Sequence, residues 1–156
     1  MQDIRLRVSI PDQTLEFWEG DTLVKAYPIS TSKFGVGTQP GSLCTPPGRL
    51  RVARKIGSDL PKGAVLKERQ WTGSVWSLED PYQEEADLIL TRILWLEGLD
   101  PENTNTLDRY IYIHGTNQEH LIGQPASHGC VRMSNSDIAE LFDRVPEGTE
   151  VTIATA

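Results

Sequence analysis

Helical periodicity occurs at one place in this chain, and that feature bounds the fold more than any other. Ile138, Leu141, Phe142 and Val145 fall at i, i+3, i+4 and i+7, so a helix there has one apolar face, and Asn135 or Ser136 offers a capping side chain. Pro146-Glu147-Gly148 stops that helix, and Glu150-Val151-Thr152-Ile153 reads as a closing strand. Elsewhere the apolar residues come in short runs divided by turn formers. Residues 4 to 10 and 14 to 18 are separated by Pro11-Asp12-Gln13, and Glu19-Gly20-Asp21 precedes Leu23 to Ile29, the pattern of a strand meander.

From Ser30 to Gly48 the density of Gly, Pro, Ser and Thr predicts a long surface loop, of the kind that often borders a binding site. Arg49 to Ala53 alternates like a strand, Gly57 to Gly63 is loop again, and Trp71 to Trp76 suits another strand. Residues 81 to 98 support either one strand or two joined at a bend. After a polar stretch over 101 to 108, the β-branched and aromatic run Arg109-Tyr110-Ile111-Tyr112-Ile113 predicts a central strand with His114 at its end. The expectation is a mainly β domain with some α (α+β) and one clear helix in the C-terminal half. A length of 156 residues, with no internal repeat or low-complexity linker, suits a single domain over 1–156.

A formal net charge of −7 provides no positive field to gather phosphate backbones or an anionic membrane surface, so neither nucleic acid nor membrane is an expected partner. No stretch approaches the roughly 20 apolar residues of a membrane-spanning helix. The alternation of charged and apolar residues over Gln2 to Val8 looks like a strand rather than an export signal. With Met1 as the native start the expected compartment is the cytoplasm; with an export signal removed it becomes the periplasm. Two cysteines are too few for a disulfide scaffold, and Cys44 is expected to be a small, unreactive buried thiol.

Two of the three histidines and one of the two cysteines lie in two short runs of the chain. The runs are His114-Gly115-Thr116-Asn117 and then Ser127-His128-Gly129-Cys130-Val131-Arg132-Met133. A thiol attacks only as thiolate, so a nucleophilic cysteine needs an imidazole or another positive influence close by. His114, at the end of a rigid strand, is suited to act as base toward Cys130, the two meeting within about 3–3.5 Å in a reactive complex. Gly129 lets the backbone turn sharply beside the thiol, and backbone N–H groups near residues 128 to 130 can face a developing oxyanion.

These runs resemble the L,D-transpeptidase catalytic domain, or YkuD, family: His-Gly-Thr, a loop, then Ser-His-Gly-Cys-Val-Arg-Met, with Cys130 16 residues after His114. Ile122-Gly123, the following helix and the terminal Pro-x-Gly-Thr-x-Val strand are similar as well, so the specific part covers about residues 111 to 153. The N-terminal meander and the Thr45-Pro46-Pro47-Gly48 turn are similar to the family's opening half, whereas the stretch from about 71 to 108 is expanded relative to its commonest members.

The resemblance implies a mixed β-sandwich-like fold and an enzyme whose cysteine attacks the carbonyl between a diamino acid's L-centre and the terminal D-alanine of a peptidoglycan tetrapeptide stem. D-Alanine leaves, and the acyl group passes to water or to an amine. It implies Cys130 as nucleophile, His114 as base, and Gly115 as the carbonyl orienting the imidazole. His128 and Gly129 then shape the oxyanion hole and Ser127 braces the loop. Arg132 is assigned to holding the loop or meeting a substrate carboxylate through its bidentate fork. No metal and no cofactor is called for, and the expected partners are muropeptide tetrapeptide stems.

Two other classes compete. A zinc site could be built from His114, His128 and Cys130 with His120, although no CxxC or HExxH spacing is present. His120, in a polar loop, otherwise reads as solvated. A non-catalytic peptidoglycan-binding module would be indifferent to Cys130→Ala. Within the enzyme class, hydrolysis by an L,D-carboxypeptidase of cell-wall recycling is favoured, because some members resembling this chain lack an export signal and act that way. The alternative is an L,D-transpeptidase of the cell envelope.

Overall fold

The computed structural model describes residues 3–77 and 87–156. In chain order the elements are β1 (Ile4–Ser9), β2 (Thr14–Glu19), β3 (Thr22–Pro28), β4 (Gly48–Ile56), β5 (Ala64–Lys67), β6 (Gln70–Val75), β7 (Ile89–Gly98), β8 (Tyr112–Gly115), β9 (Val131–Met133), α1 (Asn135–Arg144) and β10 (Glu150–Ala154). The strands join in one open, mixed sheet ordered β3-β2-β1-β10-β4-β7-β5-β6, with β8 pairing β7 and carrying β9 on its other side. Most neighbours are antiparallel, but β1 runs parallel to β10, and β8 runs parallel to β9. The expected mainly β architecture with one helix is what the described residues form.

The core explains the alternation in the sequence. Leu6, Val8, Leu15 and Phe17 from the meander, Leu50 and Val52 from β4, and Val151 and Ile153 from β10 are buried together. Ile138, Leu141 and Phe142 bring the apolar face of α1 onto Ile113, Val131 and Met133 in the same cluster. Each such side chain stabilises the fold by about 1.5–3 kcal/mol relative to exposure. A smaller cluster of Leu66, Ile93 and Tyr112, with Trp95 and Cys130 packed against it, gathers separately.

Several boundaries differ from those expected, each for a local reason. Ser134, not Asn135 or Ser136, caps α1, its hydroxyl accepting from the Asp137 amide at 3.2 Å. The central strand begins at Tyr112 rather than Arg109, because Tyr110 takes φ +57° and turns the chain beforehand. His114 therefore lies inside the strand. The segment read as one strand or two is, over its described part, one strand with a bulge between Leu90 and Ile93, where buried Thr91 sits at φ +76°. Residues 81 to 86 lie outside the described residues. β5 and β9 had no sequence signal: four and three residues are too few to show a period.

Candidate active site

Alternation along β8 puts Ile113 into the core and leaves Tyr112 and His114 on the opposite face. The parallel register pairs Ile113 with Val131 and His114 with Arg132, so Cys130 falls opposite Tyr112 and shares the face of His114. Adjacent strands lie about 4.8 Å apart, and diagonal same-face neighbours about 7–8 Å, within reach of an imidazole and a thiol. Two backbone groups of the strand entry hold the sulfur. The Tyr112 amide donates to Cys130 Sγ at 3.3 Å, and the thiol donates to the Tyr110 carbonyl at 3.5 Å.

The loop before Cys130 is fixed from below. Ser127, fully buried, donates to the Cys130 carbonyl at 2.7 Å and accepts from the Gly129 amide at 3.3 Å. Thr45 Oγ1 donates to the Gly129 carbonyl at 3.0 Å, tying the long 30–48 loop to the same place. Gly129 takes φ +126°, and a Cβ there would come within 3.3 Å of the Ile111 side chain. The positive φ is what favours glycine here, while the tip of Ile111 would have to give by a few tenths of an ångström.

His114 is buried, and its Nδ1 lies 2.6 Å from the Gly115 carbonyl. A carbonyl only accepts, so Nδ1 carries the proton and Nε2 presents a lone pair. Gly115 in turn has no room for a side chain, since a Cβ would overlap Asn135 Oδ1 and sit 2.7 Å from the Leu90 carbonyl. Asn135 is held by Thr91 Oγ1 at 2.7 Å, and its amide group donates to the Thr116 carbonyl at 3.0 Å and to Glu119 at 3.1 Å. The strained Thr91 bulge thus belongs to the scaffold that orients the imidazole.

Burial pushes the Cys130 thiol up to about 11, only partly offset by the Tyr112 amide, and burial also depresses the His114 imidazole. Both shifts disfavour charge, so the resting pair is thiol and neutral imidazole. The same two charges, Asp87 and Arg132, act on both groups, as expected for side chains sharing one environment.

Arg132 is fully buried. It donates to Asp87 at 2.9 Å, Gln118 at 2.6 Å and Ser30 at 3.3 Å. Of its two assigned roles, this placement supplies the holding of loops. His128 is half exposed, with Nδ1 3.6 Å from Asp87 and its ring near Phe34. His120 lies exposed in a short 3-10 turn over Glu119–Leu121. Cys44 is partly exposed, against the expectation of full burial, because its loop bends its sulfur toward the Phe34 carbonyl at 3.4 Å near the surface. Sequence reasoning did not single out Asp87, Tyr110, Arg109 or Asn135 as site residues; only Asn135 carried a signal, as a cap candidate.

Two cavities are lined by residues around Cys130 rather than by Cys130 itself. One, of about 390 Å³, is walled by Tyr110 and Tyr112 with Arg69. The other, of about 340 Å³, is bordered by Ile111, Arg109, Leu43 and His128. Arg109 donates to the Gly37 and Cys44 carbonyls at 3.3 and 2.7 Å, and its charge is felt at Cys130. The arrangement puts a thiol and an oriented neutral imidazole on one face of a strand pair, which suits nucleophilic attack on a carbonyl.

Comparison with known proteins agrees with this geometry. The family model described as the L,D-transpeptidase catalytic domain, YkuD, matches residues 3–153. A putative L,D-transpeptidase YkuD of Bacillus licheniformis is 31% identical over 150 residues, covering 96% of this chain and 64% of its own length. A probable L,D-transpeptidase YbiS of Escherichia coli is 35% identical over 103 residues, covering 62% of this chain and 34% of its own length. The chain therefore spans less than two thirds of the curated relatives it matches here. Among solved structures, an L,D-transpeptidase from Mycobacterium smegmatis superposes with a TM-score of 0.61 at 17% identity, over 99% of this chain and 59% of that one. L,D-transpeptidase 3 from Mycobacterium tuberculosis, in complex with a faropenem-derived adduct, gives 0.60 at 16% over 97% and 60%. At such identities the superpositions speak for the fold.

Proposed function

The chain belongs to the L,D-transpeptidase catalytic-domain (YkuD) family, and on that footing we propose that it is a cysteine-dependent L,D-carboxypeptidase removing the terminal D-alanine from peptidoglycan tetrapeptide stems. The observation that carries the chemistry is the shared face of β8 and β9, with His114 locked by Gly115 into the tautomer that leaves an Nε2 lone pair on the face that also carries Cys130. Substrate binding dries the pair. His114 Nε2 takes the thiol proton as Sγ attacks the carbonyl carbon, the Tyr112 amide eases the negative charge on sulfur, and amides of the 128 to 130 turn other than Gly129's, which Ser127 holds, receive the oxyanion. Collapse of the tetrahedral intermediate expels the D-alanine amine, which takes the proton back from His114, and leaves a thioester on Cys130.

Arg109 beside the 340 Å³ cavity suits a leaving residue with a free carboxylate. That cavity is at the small end for ligand sites, which favours one departing residue and then water over a second stem peptide. Water, activated by the same imidazole, hydrolyses the thioester to a tripeptide. This outcome fits turnover of free muropeptides in cell-wall recycling, in the cytoplasm, which fractionation of cells carrying a tagged chain would test.

The transpeptidase alternative shares every step up to the thioester, and the names of the relatives favour it. Incubation of disaccharide tetrapeptide with and without D-methionine or an acceptor stem decides between them. Tripeptide alone is expected; exchanged or cross-linked stems would refute hydrolysis. Intact mass after exposure to tetrapeptide or a penem should show an adduct lost in Cys130→Ala, and its absence would refute the covalent route.

A further inference from the structure

Antiparallel β7 and β8 keep step except at one point. Leu90 pairs with Gly115 and Ile93 with His114, so Thr91 and Arg92 are two extra residues set against the peptide that joins the base to Gly115. Bulges beside reactive groups re-aim side chains. This one has an unusual occupant. Thr91 is fully buried at φ +76°, and of the six non-glycine residues with positive φ among the described residues it is the only β-branched one. A branched side chain is a genuine outlier there, and it persists only where its surroundings hold it. Glycine or asparagine would take the angle with less strain, so the side chain itself has to account for the threonine.

What threonine offers is one hydroxyl that both accepts and donates. Thr91 Oγ1 accepts from the Gly63 amide at 2.9 Å, and its own proton goes to Asn135 Oδ1 at 2.7 Å. That bond fixes which way the Asn135 amide faces: oxygen toward Thr91, and NH2 toward the Thr116 carbonyl at 3.0 Å and Glu119 at 3.1 Å. Both of the latter are acceptors, so the reversed amide would set oxygen against oxygen twice. Asn135 Oδ1 also fills the space that a Gly115 side chain would need. The Asn135 side chain thus holds the main chain on both sides of the Gly115–Thr116 peptide, whose carbonyl oxygen lies 2.6 Å from His114 Nδ1.

We infer that Thr91 is a positioning residue for the base: through Asn135, its hydroxyl sets the Gly115–Thr116 peptide so that His114 keeps its proton on Nδ1 and its lone pair on Nε2. The strained angle is what brings that hydroxyl between Gly63, at the entry to β5, and Asn135, at the start of α1. The inference rests on the peptidase function above, since it concerns the base of that reaction. The Gly115 bond also favours the protonated imidazole that forms as the thiol attacks. Cutting the chain at Thr91 therefore weakens the base without touching the nucleophile.

The test compares Thr91→Ser with Thr91→Ala. Neither is β-branched, so both lose the same strain and differ in the hydroxyl alone. Nitrogen NMR of histidine-labelled protein reads the His114 tautomer without substrate, and steady-state kinetics on tetrapeptide reads the base. Wild type and Thr91→Ser should show one tautomer, with the proton on Nδ1, and similar kcat. Thr91→Ala should show both tautomers and lose about tenfold to hundredfold in kcat, the scale of a misplaced catalytic group, with KM little changed. The acid limb of its kcat/KM profile should move to lower pH, because an imidazole without the Gly115 acceptor holds a proton less well. Iodoacetamide should alkylate Cys130 at the wild-type rate in both variants, since the bonds from Tyr110 and Tyr112 to the sulfur are untouched. Alkylation that moves with kcat would mean a general loosening and would overturn the inference. So would a Thr91→Ser defect as large as that of Thr91→Ala, or a single tautomer in Thr91→Ala. Should Thr91→Ala not fold, Asn135→Ala cuts the chain one bond later and is held to the same outcomes. Wild type without turnover on any stem removes the peptidase reading, and the tautomers by themselves then decide the Thr91 chain.

Discussion

The reactivity of Cys130 toward iodoacetamide distinguishes a resting thiol from a preformed thiolate–imidazolium pair. Burial moves the thiol from an ordinary 9.0 to about 11. At any pH below 9 the thiolate fraction is then about a hundredfold smaller than for an unperturbed cysteine. A more basic thiolate is the better nucleophile, with a Brønsted coefficient near 0.4–0.5, which returns roughly six- to tenfold over two units. The net expectation is alkylation about ten- to fifteenfold slower than that of an unperturbed thiol at pH 8, with its rate climbing tenfold per unit through pH 9 and levelling only near 11. The measurement is the second-order rate of carbamidomethylation by mass spectrometry, in a Cys44→Ser background so that a single thiol reports.

The same premise fixes what His114 does. Its imidazole is also shifted toward the neutral form, so it holds no charge that would lower the thiol in the free enzyme. His114→Gln should leave the alkylation profile between pH 7 and 9 within about twofold of wild type while abolishing acylation by substrate. A rate plateau between pH 5 and 7, lost in His114→Gln, would show an ion pair in the resting enzyme. The proton transfer would then precede substrate, refuting the neutral-pair reasoning.

Other consequences are direct. His114→Gln should lower kcat/KM on tetrapeptide by about 10²–10⁴-fold with Tm little changed, and an enzyme keeping most of its activity would have another base. Gly129→Ala forces φ +126° on a residue with a Cβ and should destabilise by about 1–3 kcal/mol, a Tm fall of roughly 3–10 °C by calorimetry; an unchanged Tm would contradict the turn as described. Asp87→Ala leaves fully buried Arg132 without its carboxylate, and denaturant unfolding should show a loss of about 3 kcal/mol, the low end for a broken buried pair because Gln118 and Ser30 remain. A loss under about 1 kcal/mol would mean Arg132 is solvated. Chelator should leave turnover unchanged, whereas iodoacetamide should abolish it; the reverse would revive the zinc alternative.

What the sequence disclosed and what it withheld divide along range. The meander, the helix and the closing strand were legible because their periods are local and long enough to count. The Ser127-to-Met133 run was legible as a cluster of reactive types. β9 was not, being three residues whose strand character comes wholly from pairing with β8. Arg132 invited a substrate role because its type suits one, while its actual partners lie at Ser30, Asp87 and Gln118, in segments with no shared motif. The cavity residues Arg69 and Tyr110 are invisible for the same reason: their meaning lies in backbone angles, and nothing in Lys67-Glu68-Arg69-Gln70 announces a tight turn.

One hidden element nevertheless determines whether the legible residues can react at all. In strands the side-chain period is two, so a one-residue slip of β9 along β8 would turn Cys130 into the core and bring Val131 to the His114 face. Val131 and Met133, fully buried against Ile113 and α1, make that slip costly by forfeiting two buried side chains, about 3–6 kcal/mol together. The core side of the strand pair therefore sets the register that the reactive side uses. Polar substitution at Val131 should accordingly reduce acylation even when enough fold remains for a cooperative melt, since the slipped pairing parts His114 from the thiol. Val131→Thr, nearly isosteric, provides the test. A variant that melts below wild type yet acylates at the wild-type rate would show that register is set elsewhere, in the Ser127 and Thr45 bonds that hold the preceding turn.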